Sequence, residues 1–323
     1  MSQSKAQLNE WRYTLPLDHY IHREWASSPA NGLSTLHSAM DDSLITNKLA
    51  CATSAQVELA AQSAEKALPG WQGIKPEERR QLLLSIATII EENAERPSYL
   101  ESLVVFKPIS MCLGQEMPSL AESFKFEDDL NLSEDGFLRG VLHQPLGVCA
   151  AIIPFNSPLI TFGMKMAPAL VMGNVMIVKP SEYNPLSTLC LGELLTKAGL
   201  PPGVVNLVSG AAEAGAALSL HPRIRKISFT GSSTIGRQNQ IAAARSNLKR
   251  VTLEFGGKSP ALTFQDADLD NAVDNAMVQW SWKRKRAIRP PGLYTAKAHC
   301  YQIQQRKPLK LCRRQAELSE KGV

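Results

Sequence analysis

No apolar run in this 323-residue chain approaches the roughly 20 residues that a membrane-spanning helix needs. The polar start, Met1-Ser-Gln-Ser-Lys5, lacks the apolar core of a secretory signal, so the expectation is a cytoplasmic protein with no membrane partner. Cysteine is scarce. The six (Cys51, Cys112, Cys149, Cys190, Cys300 and Cys312) are scattered, with no Cys-x-x-Cys pair. That spacing argues against a disulfide framework or a zinc site and suits reduced thiols, so no metal is expected. There is no internal repeat and no Gly/Ser-rich linker, which excludes a solenoid or a string of tethered modules.

What is present is ordinary for a globular chain: 44% hydrophobic and 20% charged residues, enough for one or two sizeable cores. The net charge of +5 hides an asymmetry. Residues 283–323 hold 12 Lys/Arg against 2 Asp/Glu, net +10, leaving the other 282 residues with 23 against 28, net −5. A basic tail can be a nucleic-acid or import patch. Its composition, with Pro290-Pro-Gly292 amid basic clusters and no sustained period of 3.6 or 2.0, reads instead as a segment without a fixed place in the fold, so nucleic acid is not the expected partner.

The pattern before residue 148 predicts helices. Thr53 with Gln56 forms a T-x-x-Q capping box ahead of a helix over 55–67. Pro69-Gly-Trp-Gln-Gly73 reads as a turn whose Trp71 packs between that helix and the next. The second helix starts at Pro76 and runs to Arg96, where Pro97 stops it. From residue 148 short apolar strands alternate with helices: strands at 148–153, 174–178, 204–208 and 226–229, and helices at 158–172, 186–198, 211–220 and 234–244, the second capped by Asn184-Pro185. Such alternation predicts a parallel α/β sheet whose ligands sit at one edge.

Four short constellations lie on the ends of these strands. In Ile152-Ile153-Pro154-Phe155-Asn156-Ser-Pro158 a side-chain amide leaves a buried strand between two prolines, where it can donate to a developing oxyanion or merely satisfy its own turn. In Lys179-Pro-Ser-Glu182 a lysine and a carboxylate three apart can bracket a diol, or form a surface ion pair. Ser228-Phe-Thr-Gly231-Ser232-Ser-Thr-Ile-Gly236 is a strand, turn and helix start whose free amides suit a phosphate, though it is not G-x-G-x-x-G. Val251-Thr-Leu-Glu254-Phe-Gly-Gly-Lys258 places one carboxylate between a strand and a Gly-Gly turn, as a general base requires.

Taken in order over about 110 residues, these segments resemble the I-P-W-N-x-P, K-P-S-E, F-T-G-S-x-x-x-G and E-x-G-G-K elements of the NAD(P)-dependent aldehyde dehydrogenases, with Phe155 in place of the tryptophan. His19-Tyr-Ile-His-Arg-Glu-Trp25 and the stretch from Trp71 to Pro108 resemble the family more loosely. The resemblance implies an α/β, Rossmann-type parallel-sheet cofactor domain with an N-terminal helical and strand region, and a catalytic domain largely missing. It divides the chain into 1–147, completing the cofactor domain with a bridging hairpin near 136–147; 148–274, an NAD-binding core; and 275–323, an aberrant basic tail. It implies Asn156 as oxyanion donor and Glu254 as general base. Ile153, Pro154, Phe155, Lys179, Glu182, Gly231 and Ser232 would bind cofactor, with Lys179 and Glu182 on the adenosine ribose. A carboxylate at 182 would repel a 2′-phosphate, which favours NAD over NADP. The family reaction is oxidation of an aldehyde to an acid.

The departure comes where the family places its nucleophile, an Asn-x-Gly-Gln-x-Cys loop roughly thirty-odd residues beyond the glutamate. Here the chain reads Trp280-Ser-Trp-Lys-Arg-Lys-Arg-Ala-Ile-Arg-Pro290, without cysteine. The expectation is an inactive relative, with a family-type homo-oligomer in doubt and the aldehyde substrate unreadable. Two alternatives stay open. The loss of pattern resembles a shifted reading frame or translated intron, in which case an active enzyme continues past residue 280; or the fold lends its tail to a partner as a non-catalytic interaction protein.

Overall fold

The runs Val148–Ile152, Val175–Lys179 and Val205–Leu207, apolar apart from Lys179 and Asn206, form strands in which every residue is buried. Strands apolar on both faces are what a parallel sheet covered by helices on two sides demands. The structure, a computed structural model, describes residues 12–29, 32–125, 144–257, 262–263, 268, 271 and 301–302. The chain divides into two compact units, 1–256 and 257–323.

The first unit runs β1 (His19–Ile21), β2 (Glu24–Ala26), β3 (Leu33–His37), β4 (Leu44–Ala50), α1 (Ser54–Gly73), α2 (Pro76–Glu92), α3 (Glu95–Val105), α4 (Ile109–Met111), a π-helical turn (Cys112–Glu116) and α5 (Met117–Ser123). It continues with β5 (Val148–Ile152), α6 (Pro158–Val171), β6 (Val175–Lys179), α7 (Leu186–Lys197), β7 (Val205–Leu207), α8 (Ala212–Leu220), β8 (Lys226–Gly231), α9 (Ser233–Arg245) and β9 (Arg250–Phe255). The main sheet has the order β2-β1-β7-β6-β5-β8-β9, with β3 and β4 a separate antiparallel pair. Strands β5 to β9 are mutually parallel, and β1 joins β7 antiparallel.

The chain therefore builds outward from β5 to β6 and β7, then returns to add β8 and β9 on the opposite side. Right-handed crossovers put α6 and α7 on one face, with α2, α3 and α5 packed on that layer, while α8 and α9, with α1, cover the other. The reversal between β5 and β8 is a topological switch point, and the connections leaving the two strands diverge there. Gly203, at φ +82°, shows how tightly the layers meet: a Cβ there would stand 2.6 Å from the Ser63 carbonyl oxygen of α1.

Three local expectations need correction. The Thr53–Gln56 capping box is present, but α1 does not end before Pro69; it continues to Gly73. Proline inside a helix costs about 3 kcal/mol, and here the cost is offset by Trp71, which is fully buried with its indole N–H donating to the Leu170 carbonyl of α6 at 3.2 Å. Trp71 thus anchors the end of α1 to α6. Pro97 stops no helix: α2 ends at Glu92, and Pro97 lies in the first turn of α3, where a missing N–H leaves no bond unmade. Asn184 does not cap α7, whose start has no side-chain cap; its amide instead donates to the Phe155 carbonyl at 2.9 Å.

In the second unit Leu262–Thr263 and Tyr301–Gln302 form a two-residue parallel ladder. For those two tail residues the expectation of no regular structure is corrected, since pairing satisfies their backbone groups. The rest of 275–323 lies outside the described residues. So does the expected bridging hairpin through residue 143, and residues 144–147 form no strand.

The packing around Arg79 gives a stability test. Buried in α2, it donates from Nε to the Val171 carbonyl at 3.1 Å and from Nη1 to the Ile74 carbonyl at 2.5 Å, satisfying acceptors at the ends of α6 and α1. Arg79→Met should strand both carbonyls and lower stability by about 1–3 kcal/mol. Urea unfolding checks this, and an unchanged midpoint would refute it.

Candidate active site

Four adjacent strands of the parallel set deliver the four constellations to one edge of the sheet, because each lies at or just beyond a C-terminal strand end. Beyond β5, the Ile153 amide donates to the Lys179 carbonyl at 3.0 Å, which ties the start of the 153–157 segment to β6. Pro154, Phe155 and Asn156 are half-buried, and Phe155 meets Tyr183 edge to face with ring centroids 6.3 Å apart. The Asn156 side-chain amide has no hydrogen-bond partner among the described residues, while its backbone carbonyl accepts from Lys107 Nζ at 2.9 Å.

At the end of β6, Lys179 is buried, and its Nζ donates to the Pro180 carbonyl at 3.0 Å and stands 3.6 Å from Glu182 Oε2. Burial pulls this ammonium below the usual lysine range, and the Glu182 carboxylate opposes that pull. Glu182 itself is half exposed, so the pair presents one buried donor and one accessible acceptor group. At the end of β8, Gly231 leads into Ser232, the N-cap of α9, whose Oγ accepts from the Ile235 amide at 3.4 Å. The cap engages the hydroxyl oxygen but leaves its O–H and the first amides of the helix as donors at an exposed end. Strands β6 and β8 flank β5, so the Lys179 pair and the α9 start lie roughly 10 Å apart, two inter-strand spacings. Both are within reach of one extended dinucleotide.

Glu254, exposed, lies in β9 beside Thr230 of β8. It acts on a residue that motif reading missed. Lys165 of α6 donates to Ser228 Oγ at 2.6 Å. Burial lowers its pKa to about 8; the Glu254 carboxylate works in the opposite direction and Lys226 adds to the lowering. A cation near neutrality is thus held close to the candidate base. The only signal in the sequence was a lone lysine in the apolar helix Pro158–Val171.

The sequence profile described as "Aldehyde dehydrogenase family" matches residues 25–284. The chain belongs to the aldehyde dehydrogenase family. Its relatives include human (Homo sapiens) "Retinal dehydrogenase 2", 38% identical over 273 residues, covering 80% of this chain and 52% of the relative. Among solved structures, a putative aldehyde dehydrogenase from Burkholderia cenocepacia has a TM-score of 0.75 at 39% identity, covering 81% of this chain and 55% of that one. PnpE, from Pseudomonas sp. WBC-3, in complex with nicotinamide adenine dinucleotide gives 0.75 at 41% identity, with 81% and 55% covered. The chain spans about half the length of the curated relatives it matches. NAD-dependent aldehyde oxidation is the reaction of the aldehyde dehydrogenase family, and the likeness extends to its α/β fold.

Among the described thiols of this aldehyde dehydrogenase-family chain, Cys51 is half-buried and Cys112, Cys149 and Cys190 are buried. Cys149 in β5 and Cys190 in α7 are buried, and burial pushes each thiol up to about 12. At pH 7.5 iodoacetamide should leave both unmodified in the native chain and alkylate both after unfolding. Peptide mass mapping reads this out, and native labelling at either position would show that its burial is overstated.

Proposed function

We propose that residues 148–274, completed by 1–147, are an NAD-binding core that holds the dinucleotide across the switch point but does not carry aldehyde oxidation through. The observation that supports it best is the gathering of Asn156, the Lys179–Glu182 pair, the Gly231–Ser232 helix start and Glu254 on consecutive strand ends. The residues fit the cofactor: Lys179 is a buried donor facing an accessible carboxylate, as a ribose diol requires, and the exposed start of α9 offers the pyrophosphate its first amides and the Ser232 hydroxyl, beyond the one amide its cap engages. Ile153, Pro154 and Phe155 form the floor beneath that cleft.

Bound NAD would supply the hydride acceptor. Asn156 would donate to an oxyanion through its unpaired amide, and Glu254, with Lys165 close by, would take a proton from water. An aldehyde is the substrate class this arrangement suits. The missing component is a thiolate, since 280–290 contains no cysteine. We also propose a reducing cytoplasmic compartment, which the scattered cysteines without a Cys-x-x-Cys pair support.

Calorimetry with NAD and NADP is the test. NAD should bind more tightly, on the order of tenfold, because the 2′-phosphate would meet the Glu182 carboxylate. Glu182→Gln should narrow the gap. Equal affinities for both cofactors in the native chain would show that Glu182 does not face the ribose, and no binding of either would remove the cofactor reading.

A further inference from the structure

Behind the 153–157 segment lies a buried charge cluster that the proposed chemistry does not use. Lys107 Nζ donates to Glu101 Oε1 at 3.0 Å, to Glu116 Oε1 and to the Asn156 carbonyl. Glu101 Oε2 accepts from Ser187 Oγ of α7 at 2.6 Å. Both carboxylates are fully buried and the ammonium nearly so. Burying two carboxylates around one ammonium is costly, and apolar residues of similar volume are often at least as stabilising. Two further local costs converge on the same point. Phe106, the residue before Lys107, sits in the left-handed region at φ 53°, which a bulky side chain disfavours. Glu116 closes a π-helical turn, a geometry rare outside functional sites.

We propose that Lys107, gripped by Glu101 and Glu116, is a positioning residue that fixes the Asn156 segment from inside the protein. The cluster accounts for where its bonds go. Two successive carbonyls of the segment are held by buried groups, Phe155 by Asn184 and Asn156 by Lys107. With both carbonyls held, the backbone that aims the Asn156 amide and the Phe155 ring is set before any ligand arrives, so no ordering cost falls on binding. The charge state agrees. Burial pushes the Glu101 carboxyl up to about 7 against the pull of Lys107, while burial of Lys107 is outweighed by the attraction of the two carboxylates, which keeps it an ammonium. The cluster can thus hold one extra proton and stay neutral around a permanent donor.

This rests on the cofactor reading above, and the experiment separates the two. The full chain carrying Lys107→Met, Glu101→Gln and Glu116→Gln together removes the Lys107 donor without stranding a charge and leaves the Asn156 carbonyl only the hydroxyl of the neighbouring Ser157. Its melting temperature should stay near that of the native chain. Amide exchange at Ile153 and Thr161, the hydrogen-bonded amides flanking the segment, should quicken while Met176 of β6 keeps its protection. NAD affinity should fall about tenfold, whereas AMP, which engages only the ribose end, should bind as before. Loss of both ligands together would mean general loosening and overturn the positioning role, as would native NAD affinity. Lys179→Met should weaken NAD and AMP alike, and if it weakens neither, the cofactor reading fails instead. Should the triple variant not fold, Lys107→Met at pH 6, where Glu101 holds its proton, carries the same NAD-against-AMP test.

Discussion

Mixed with NAD and a panel of aliphatic and aromatic aldehydes, the 323-residue chain is expected to form no NADH above background. Hydride leaves an aldehyde carbon readily only after a nucleophile has added to it, and in this family's chemistry the covalent partner is a sulfur. Glu254 can at best activate water and Asn156 can at best stabilise an oxyanion. Losing a nucleophile removes roughly 10⁴–10⁶ in rate and leaves only binding and oxyanion contributions. Cys149 and Cys190 cannot substitute, being buried thiols pushed up to about 12. Turnover near family levels that Cys300→Ala abolishes would overturn the expectation and mark the tail as a rebuilt site. Turnover that survives both Cys300→Ala and Cys312→Ala would point to another thiol of the chain or to a contaminant.

How much of this was legible in the sequence follows from the range of the interactions involved. The parallel strands were readable because an all-buried strand leaves a continuous apolar run, as at Val148–Ile152. The Thr53–Gln56 cap was readable because its partners are three residues apart. Pro69 and Pro97 misled, since what decides their fate is tertiary: the burial of Trp71 against α6 in one case, the placement of a new helix start in the other. The constellations on the strand ends were found as strings. Their assembly needed the topology, because the order β6-β5-β8 cannot be read from their sequence order. Lys165 and Lys107 left almost no local trace. Lys165 meets Ser228 from 63 residues away, and Lys107 reaches the Asn156 carbonyl across 49. Asn184 sat in a helix-start pattern, yet its amide went to the carbonyl of Phe155, so a correct residue was given the wrong partner.

The second large effect is expected from Lys107→Met alone, which leaves Glu101 and Glu116 buried without their ammonium. Removing one partner from a buried ion cluster costs about 3–5 kcal/mol, far more than an exposed pair. The loss should depend on pH, with a sign that can be worked out. In the native chain the Glu101 carboxyl is raised from 4.5 to about 7, so its contribution to stability is fully present below the lower value and is lost as pH rises through the upper one. Without Lys107 the carboxyl loses the attraction that pulls it down and rises further. The variant can then relieve its buried charge by taking up a proton at pH 5 but much less readily at pH 8. The groups that act on the Glu101 carboxyl besides Lys107 are Glu116, whose negative charge also raises it, and the Ser187 hydroxyl of α7, which lowers it. Urea midpoints of the native chain and the variant should therefore lie closer together at pH 5 than at pH 8. Adding Glu101→Gln to Lys107→Met should flatten the difference across that window, because the titrating group is gone. A loss of equal size at both pH values would mean that the buried carboxylates do not sense Lys107, and the cluster would be ordinary packing.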